Sequence, residues 1–303
     1  INEDFIYSWS EPTIITPICN KDYELNEILY LSNPLIPKKY AIICEQGTTI
    51  DMVGEGKFSV SSGNIIAGCT FTGSNTPFVS ISLDNNIEIF GNTFQTTGAD
   101  FINYFSLNSN DANPTFKLIK NTFETTDGSI GKINIGDLED SEGFHGNVLI
   151  AKNTFKNTEI MMKGYKDENS IINIINNEFN KQGDITYVNP ALQMKDISGG
   201  VIYGNTFTNI DNGIEAETSS NLMFVDNHFS EVDGDVCIDL TFISNSIFSD
   251  NKINGYGIGI KTVANFDTPN FGNVYLENIF EDNSIGLLLG YSDQKTIACN
   301  EFK

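Results

Sequence analysis

Short apolar runs end in the same letters at several places along the chain. They read "IEIFGNTF" (Ile87 to Phe94), "FKLIKNTF" (Phe116 to Phe123), "VLIAKNTF" (Val148 to Phe155) and "GVIYGNTF" (Gly200 to Phe207). Apolar and polar positions alternate with period two and Ile and Val dominate, which predicts strands. Each is followed by a second alternating run, such as "VSISL", "KINIG", "IMMKG", "GIEAE", "VCIDL", "GIGIK" or "IGLLL". No amphipathic helical spacing is found from residue 41 onward.

The motif Asn-x-Phe recurs with Phe at 94, 123, 155, 179, 207, 229, 280 and 302, and "GCTF" (Phe71) and "DNKI" (Ile253) fill the gaps. The steps between these positions run from 22 to 32 residues, a wobbling period that marks a solenoid. Leucine-rich repeats need a Leu ladder that is missing here, and propeller blades need about 40–50 residues. The pattern fits a parallel β-helix of about ten coils over residues 41–303. Within the motif Asn and Phe point the same way, because side chains alternate along a strand. Phe is expected to stack inward, coil upon coil, and Thr to face water. Asn is expected at the bend in a left-handed conformation, its amide bonded to the Asn above and below. Residues 1–40 do not repeat and are read as an N-terminal cap, with a helix over Asn20 to Asn33. Cys19, Cys44 and Cys69 are spaced 25 apart. They are expected to form one column of buried free thiols, a disulfide between coils being the alternative.

Charge narrows the function. The 303 residues carry 17 basic side chains, all Lys, against 40 acidic ones, for a formal net charge of −23. Such a chain is repelled by nucleic-acid backbones and anionic membranes. No apolar run is long enough to span a bilayer. No Cys-x-x-Cys occurs, so no metal or redox centre is signalled. No resident cofactor is expected, and Ca²⁺ is the cation an acidic face would take.

Four insertions follow second-run strands: 108–115, 137–146, 165–170 and 264–272. The first three fall on adjacent coils at the same corner and would form a rim. Loops on a rigid scaffold are where function concentrates. The rim holds Asp111 and supplies Asp137, Asp140 and His145 as candidate acid-base groups, and Phe144, Tyr165 and Lys166 as candidate carbohydrate-binding residues. His228 reads as surface. Lys163, Lys166 and Lys195 lie on neighbouring coils, where a lyase would need a basic group.

The runs from residue 41 to 302, alternating "GI-x-[IL]" with "I-x-x-N-x-F", resemble the pectate-lyase-like right-handed β-helix superfamily. That resemblance implies a right-handed parallel β-helix and a family of polysaccharide lyases, hydrolases, epimerases, adhesins and phage tail proteins. "NIDNGIE", "GDVCIDL" and "GYGIGIK" resemble the active-site coils of polygalacturonases. Asp211 and Asp235 match two of that family's acids. Val236 stands in place of the third, Tyr256 in place of its His, and "GLLLG" in place of its Arg-x-Lys. The expectation is therefore a secreted or cell-surface structural, adhesive or glycan-binding module. Its partner would be a polysaccharide or cell-surface glycan, with self-association through an uncapped C-terminal end. A polysaccharide lyase or hydrolase acting through the rim around residues 108–170 is the second expectation.

Overall fold

The computed structural model describes residues 13–15, 22–25, 28–30, 40–44, 48–54, 56–60, 64–73, 77–82, 87–97, 100–105, 115–126, 128–136, 143–165, 170–182, 190–265 and 270–303. They form an all-β parallel β-helix with no helix among them. One coil illustrates the path. Thr115–Ile119 runs up the first face, a sharp bend leads to Thr122–Thr125, and a second turn leads to Gly131–Ile135. Each strand pairs in parallel with its counterpart in the next coil, here Gly146–Ala151, Thr154–Lys156 and Thr158–Lys163. Parallel crossovers of this kind are right-handed. The first strands of the coils build a twelve-stranded back sheet from Thr13–Ile15 to Thr296–Ala298. The second and third strands, here called the corner column and the front column, form a 21-stranded sheet.

The bend between back sheet and corner column explains the recurring letters. The left-handed residue is the one before the Asn: Gly91, Lys120, Lys152, Asn176, Gly204, Asp226, Asp250, Glu277 and Cys299 all have φ between 54° and 64°. The expectation that the motif Asn itself takes this conformation is corrected. That Asn is occupied otherwise. The Asn177 Oδ1 accepts from the Asn153 backbone N–H (2.9 Å) and the Asn153 Nδ2 (3.0 Å). Its own Nδ2 donates to the Ile150 carbonyl (2.8 Å) and the Asn205 Oδ1 (2.9 Å). The same pattern links Asn92, Asn121, Asn153, Asn177, Asn205, Asn227, Asn251, Asn278 and Asn300. Buried amides are tolerated when every donor and acceptor is matched, and here they are.

Two residues on, Phe71, Phe94, Phe123, Phe155, Phe179, Phe207 and Phe229 are buried and pile up in register. Neighbouring rings stack at 4.5–5.4 Å between centroids. Ile253 interrupts the stack, and Phe280 with Phe302 resumes it at 5.1 Å. Glycines face the column where rings need room. A Cβ on Gly259 would stand 2.7 Å from the Phe280 ring.

Two further expectations are corrected. The helix over Asn20 to Asn33 is not formed. Its described residues are the strands Asp22–Leu25 and Ile28–Tyr30, which pair with Thr49–Met52 and Lys57–Val60. Back-sheet strands number twelve in all, the coils beginning at Thr13–Ile15 and Tyr40–Ile43 joining the stack without an Asn-x-Phe signature. Tyr23 and Ile50 align with Phe71 there. Much of the stretch read as a cap lies outside the described residues. The thiols differ too: Cys44 and Cys69 are disulfide-bonded, with 4.9 Å between Cα atoms. They are not stacked partners. Ile43 pairs with Ala67, an interval of 67 − 43 = 24, so a spacing of 25 overshoots one coil by a residue. Cys69 instead takes the first place in the Asn ladder and donates its backbone N–H to the Asn92 Oδ1 (3.0 Å). Cys19 lies outside the described residues.

Candidate functional site

Of the three faces of the rod, the outward side of the front column brings the most chemistry together. Period-two alternation turns every second residue of each strand outward, and parallel stacking aligns these residues at about 4.8 Å intervals. The central row reads Asn103, Asn134, Met161, Gln193, Glu215, Asp239 and Lys261, one per coil. The Asn134 Nδ2 donates to the Asn103 Oδ1 (2.7 Å). The Gln193 Nε2 donates to the Glu215 Oε1 (3.3 Å), and the Lys261 Nζ donates to the Asp239 Oδ2 (2.7 Å). Beside the row, Lys195 pairs with Glu217 at 3.0 Å.

Glu215 and Asp239 are the notable pair. Two carboxylates directly in register on adjacent strands repel one another, a choice that works against the fold. Gln193 on one side and Lys261 on the other offset the repulsion. The Asp239 Oδ1 is buried and has no hydrogen-bond partner among the described residues. Earlier on the same face, Lys132 stands in register between Asp100 and Glu159. Burial pushes the Asp100 carboxyl above its ordinary range, while Lys132 and a hydrogen bond from Asn134 pull it back.

A groove of about 370 Å³ opens where the corner column turns toward the front column. Asp51, Thr72, Gln95, Thr97 and Thr126 give it a polar lining, and Met52 and Val53 an apolar floor. The Thr72 Oγ1 donates to the Asp51 Oδ1 (2.8 Å).

The residues singled out from sequence are distributed differently. Asp111, Asp137, Asp140 and Lys166 lie outside the described residues. His145 and Tyr165, on adjacent coils, are half-buried and stack ring on ring at 4.1 Å. Phe144 is fully buried and bridges to Gly164 of the next coil, so the expectation of a sugar-facing ring is corrected: backbone pairing carries it into the core. Asp211 pairs with Lys181 at 3.0 Å, and Asp235 is exposed one coil on. Tyr256, at the place of the polygalacturonase His, is buried and donates its hydroxyl to the Ile210 carbonyl (2.9 Å). Burial, with Cys237, Glu231 and Asp211 adding to it, pushes that hydroxyl well above its ordinary range. Its proton is committed to that buried carbonyl. Lys163 and Lys195 are in register on the front column. His228 is outward and half-exposed on the corner column, and burial followed by Lys252 pushes it down. Sequence reading missed Gln193, Glu215, Asp239 and Lys261. The alternation in "GIEAE", "VCIDL" and "GIGIK" already turned three of them outward.

Among the described residues no cluster of three or more His, Cys, Asp or Glu could hold a metal ion. No helix among them is long and apolar enough to cross a membrane.

Comparison with known proteins supports the fold. No family model and no curated protein matches the chain. Solved structures do. The catalytic domain of a GH87 alpha-1,3-glucanase, solved with tetrasaccharides, superposes with a TM-score of 0.59 at 14% identity over 96% of this chain and 64% of that one. Tailspike protein 3 of bacteriophage CBA120 gives 0.58 at 10% identity over 96% and 54%. The catalytic unit of the GH87 alpha-1,3-glucanase from Streptomyces thermodiastaticus gives 0.57 at 10% identity over 96% and 63%. The chain thus spans between about half and two thirds of these neighbours' length. By fold it belongs with the parallel β-helix proteins, in agreement with the resemblance read from its repeats.

Proposed function

We propose that the front column is the carbohydrate-binding face of a secreted or surface-exposed β-helix. The observation that carries this reading is the in-register row from Asn103 to Lys261, which sets amides, carboxylates and an ammonium at one-coil intervals with Met161 as its one apolar member. That pitch is close to the length of one sugar residue, and these groups bond hydroxyls from both sides. The net charge of −23 favours neutral over acidic glycans. The fold neighbours include proteins named as alpha-1,3-glucanases, one solved with tetrasaccharides. The disulfide between Cys44 and Cys69 agrees with an oxidising compartment.

A second reading, a polysaccharide-active enzyme, is favoured by the Glu215–Asp239 pair. Two carboxylates flanking a glycosidic bond are the minimal machinery of a glycosidase. A glycan-array screen run beside reducing-end and unsaturation assays on neutral and acidic polysaccharides separates the two. Binding to neutral glycans without new ends supports the module. New reducing ends that vanish in Glu215→Gln would establish the enzyme. Absence of both overturns the carbohydrate reading.

A further inference from the structure

The outward side of the back sheet differs from the other two faces. One of its rows reads Phe90, Ile119, Ala151, Ile175, Tyr203 and Val225 on successive strands. In the row beside it Met223, like Tyr203, is 40% exposed. Among the described residues before Val263, every exposed large apolar side chain lies on this sheet. Its strands carry two charges, Glu88 and Lys117, and these pair with each other at 3.6 Å. The strands are therefore neutral in sum on a chain of net charge −23, and from the adjoining bend the Lys120 ammonium lies over the Phe90 ring, 5.5 Å from its centroid.

Its size is that of an interface. Twelve strands at about 4.8 Å spacing, averaging about four residues and so about 13 Å long, give a footprint of roughly 750 Å². A standard interface takes about 800 Å² from each partner, and apolar patches beyond a few hundred Å² mark contact surfaces.

We propose that this face docks a second copy of the same chain, sheet against sheet, about a two-fold axis near the middle of the sheet. Two features select a copy over other partners. Two chains this acidic repel wherever acid meets acid, and the back sheet is the face on which they can meet without that cost. The ridges of side chains also recur at the strand spacing, so the surface that interdigitates with them along the whole rod is one with the same pitch. A two-fold contact satisfies the patch with itself.

The test is sedimentation velocity across micromolar concentrations, with the full chain. The parent is expected to dimerise. Tyr203→Lys combined with Met223→Lys, on neighbouring strands, is expected to weaken association by at least about tenfold, whereas Thr122→Lys on the corner column leaves it unchanged. Circular dichroism checks that each variant folds. In a Cys299→Ser background, Asn173→Cys at mid-sheet should cross-link to its own copy on oxidation and Thr122→Cys should not. That cross-link decides alone if the double Lys variant fails to fold. A monomer at every concentration, bare or with some other protein on this sheet, overturns the proposal. A dimer indifferent to Tyr203→Lys and Met223→Lys, or cross-linking through Thr122→Cys, overturns it too.

Discussion

The Asn ladder and the front-column row are built by the same device. Both stack polar side chains at the strand spacing, one per coil. They differ in satisfaction. Each ladder amide from Asn92 to Asn278 is buried and gives and receives all the bonds its geometry allows. The row from Asn103 to Lys261 mixes amides, acids and a base, places Glu215 against Asp239, and leaves the Asp239 Oδ1 without a partner among the described residues. A closed network fixes a shape. An open one keeps capacity for a ligand at some cost to the fold.

Breaking the ladder should cost most. Asn177→Ala deprives the Asn153 backbone N–H, the Ile150 carbonyl and two neighbouring side chains of a partner. The expected loss is about 3–6 kcal/mol, read from urea unfolding monitored by circular dichroism. A loss below about 1 kcal/mol would mean that the aromatic stack, not the ladder, carries the corner. Next comes the substitute at the ladder's start. Replacing Cys44 and Cys69 by Ser removes a link between residues 25 apart, and about 3 kcal/mol of stability should go with it. Unchanged melting would show that the link adds nothing to the packed coils.

The row should behave in the opposite way. Glu215→Gln with Asp239→Asn is expected to reduce glycan binding by about tenfold or more while leaving stability within about 0.5 kcal/mol, or raising it as the repulsion goes. Calorimetry with a binding glycan and a thermal melt read the two effects separately. A large drop in stability with binding intact would make the row structural. The smallest effect is expected at Asp100. Its carboxyl is raised above the ordinary carboxylate value of 3.8, burial being the main cause. The folded state therefore holds the proton more tightly than the unfolded one, and stability falls as pH rises through the raised folded value. Asp100→Asn should melt slightly higher than the parent at neutral pH. The difference should close below pH 3.8, where both states are protonated. A difference that persists there would assign the effect to packing.

This contrast also explains what was legible in the sequence. Inward positions have few solutions: the ladder admits Asn, with Cys69 at its start, and the stack admits Phe, Ile or Tyr. The repeat therefore writes itself in letters. Outward positions tolerate any polar residue, so Gln193, Glu215, Asp239 and Lys261 share no letter and become a row only when register aligns them. The strands at Asp22–Leu25 and Ile28–Tyr30 were hidden because "YELNEILYL" satisfies helical and extended spacing alike, and pairing with the next coil decided between them. Phe144 was misread because its loop position suggested exposure, while its bridge to Gly164 turns it inward.

The bend before each ladder Asn has one more consequence. Steps between the stacked positions vary from 22 to 32 residues, yet from Gly68 onward a single left-handed residue links each back-sheet strand to the corner position. All the variation in length is taken up at the other two vertices. Evolution, or an engineer, can add and remove residues there without shifting a single rung, which makes the molecule a frame on which new loops can be tried at little risk to the spine.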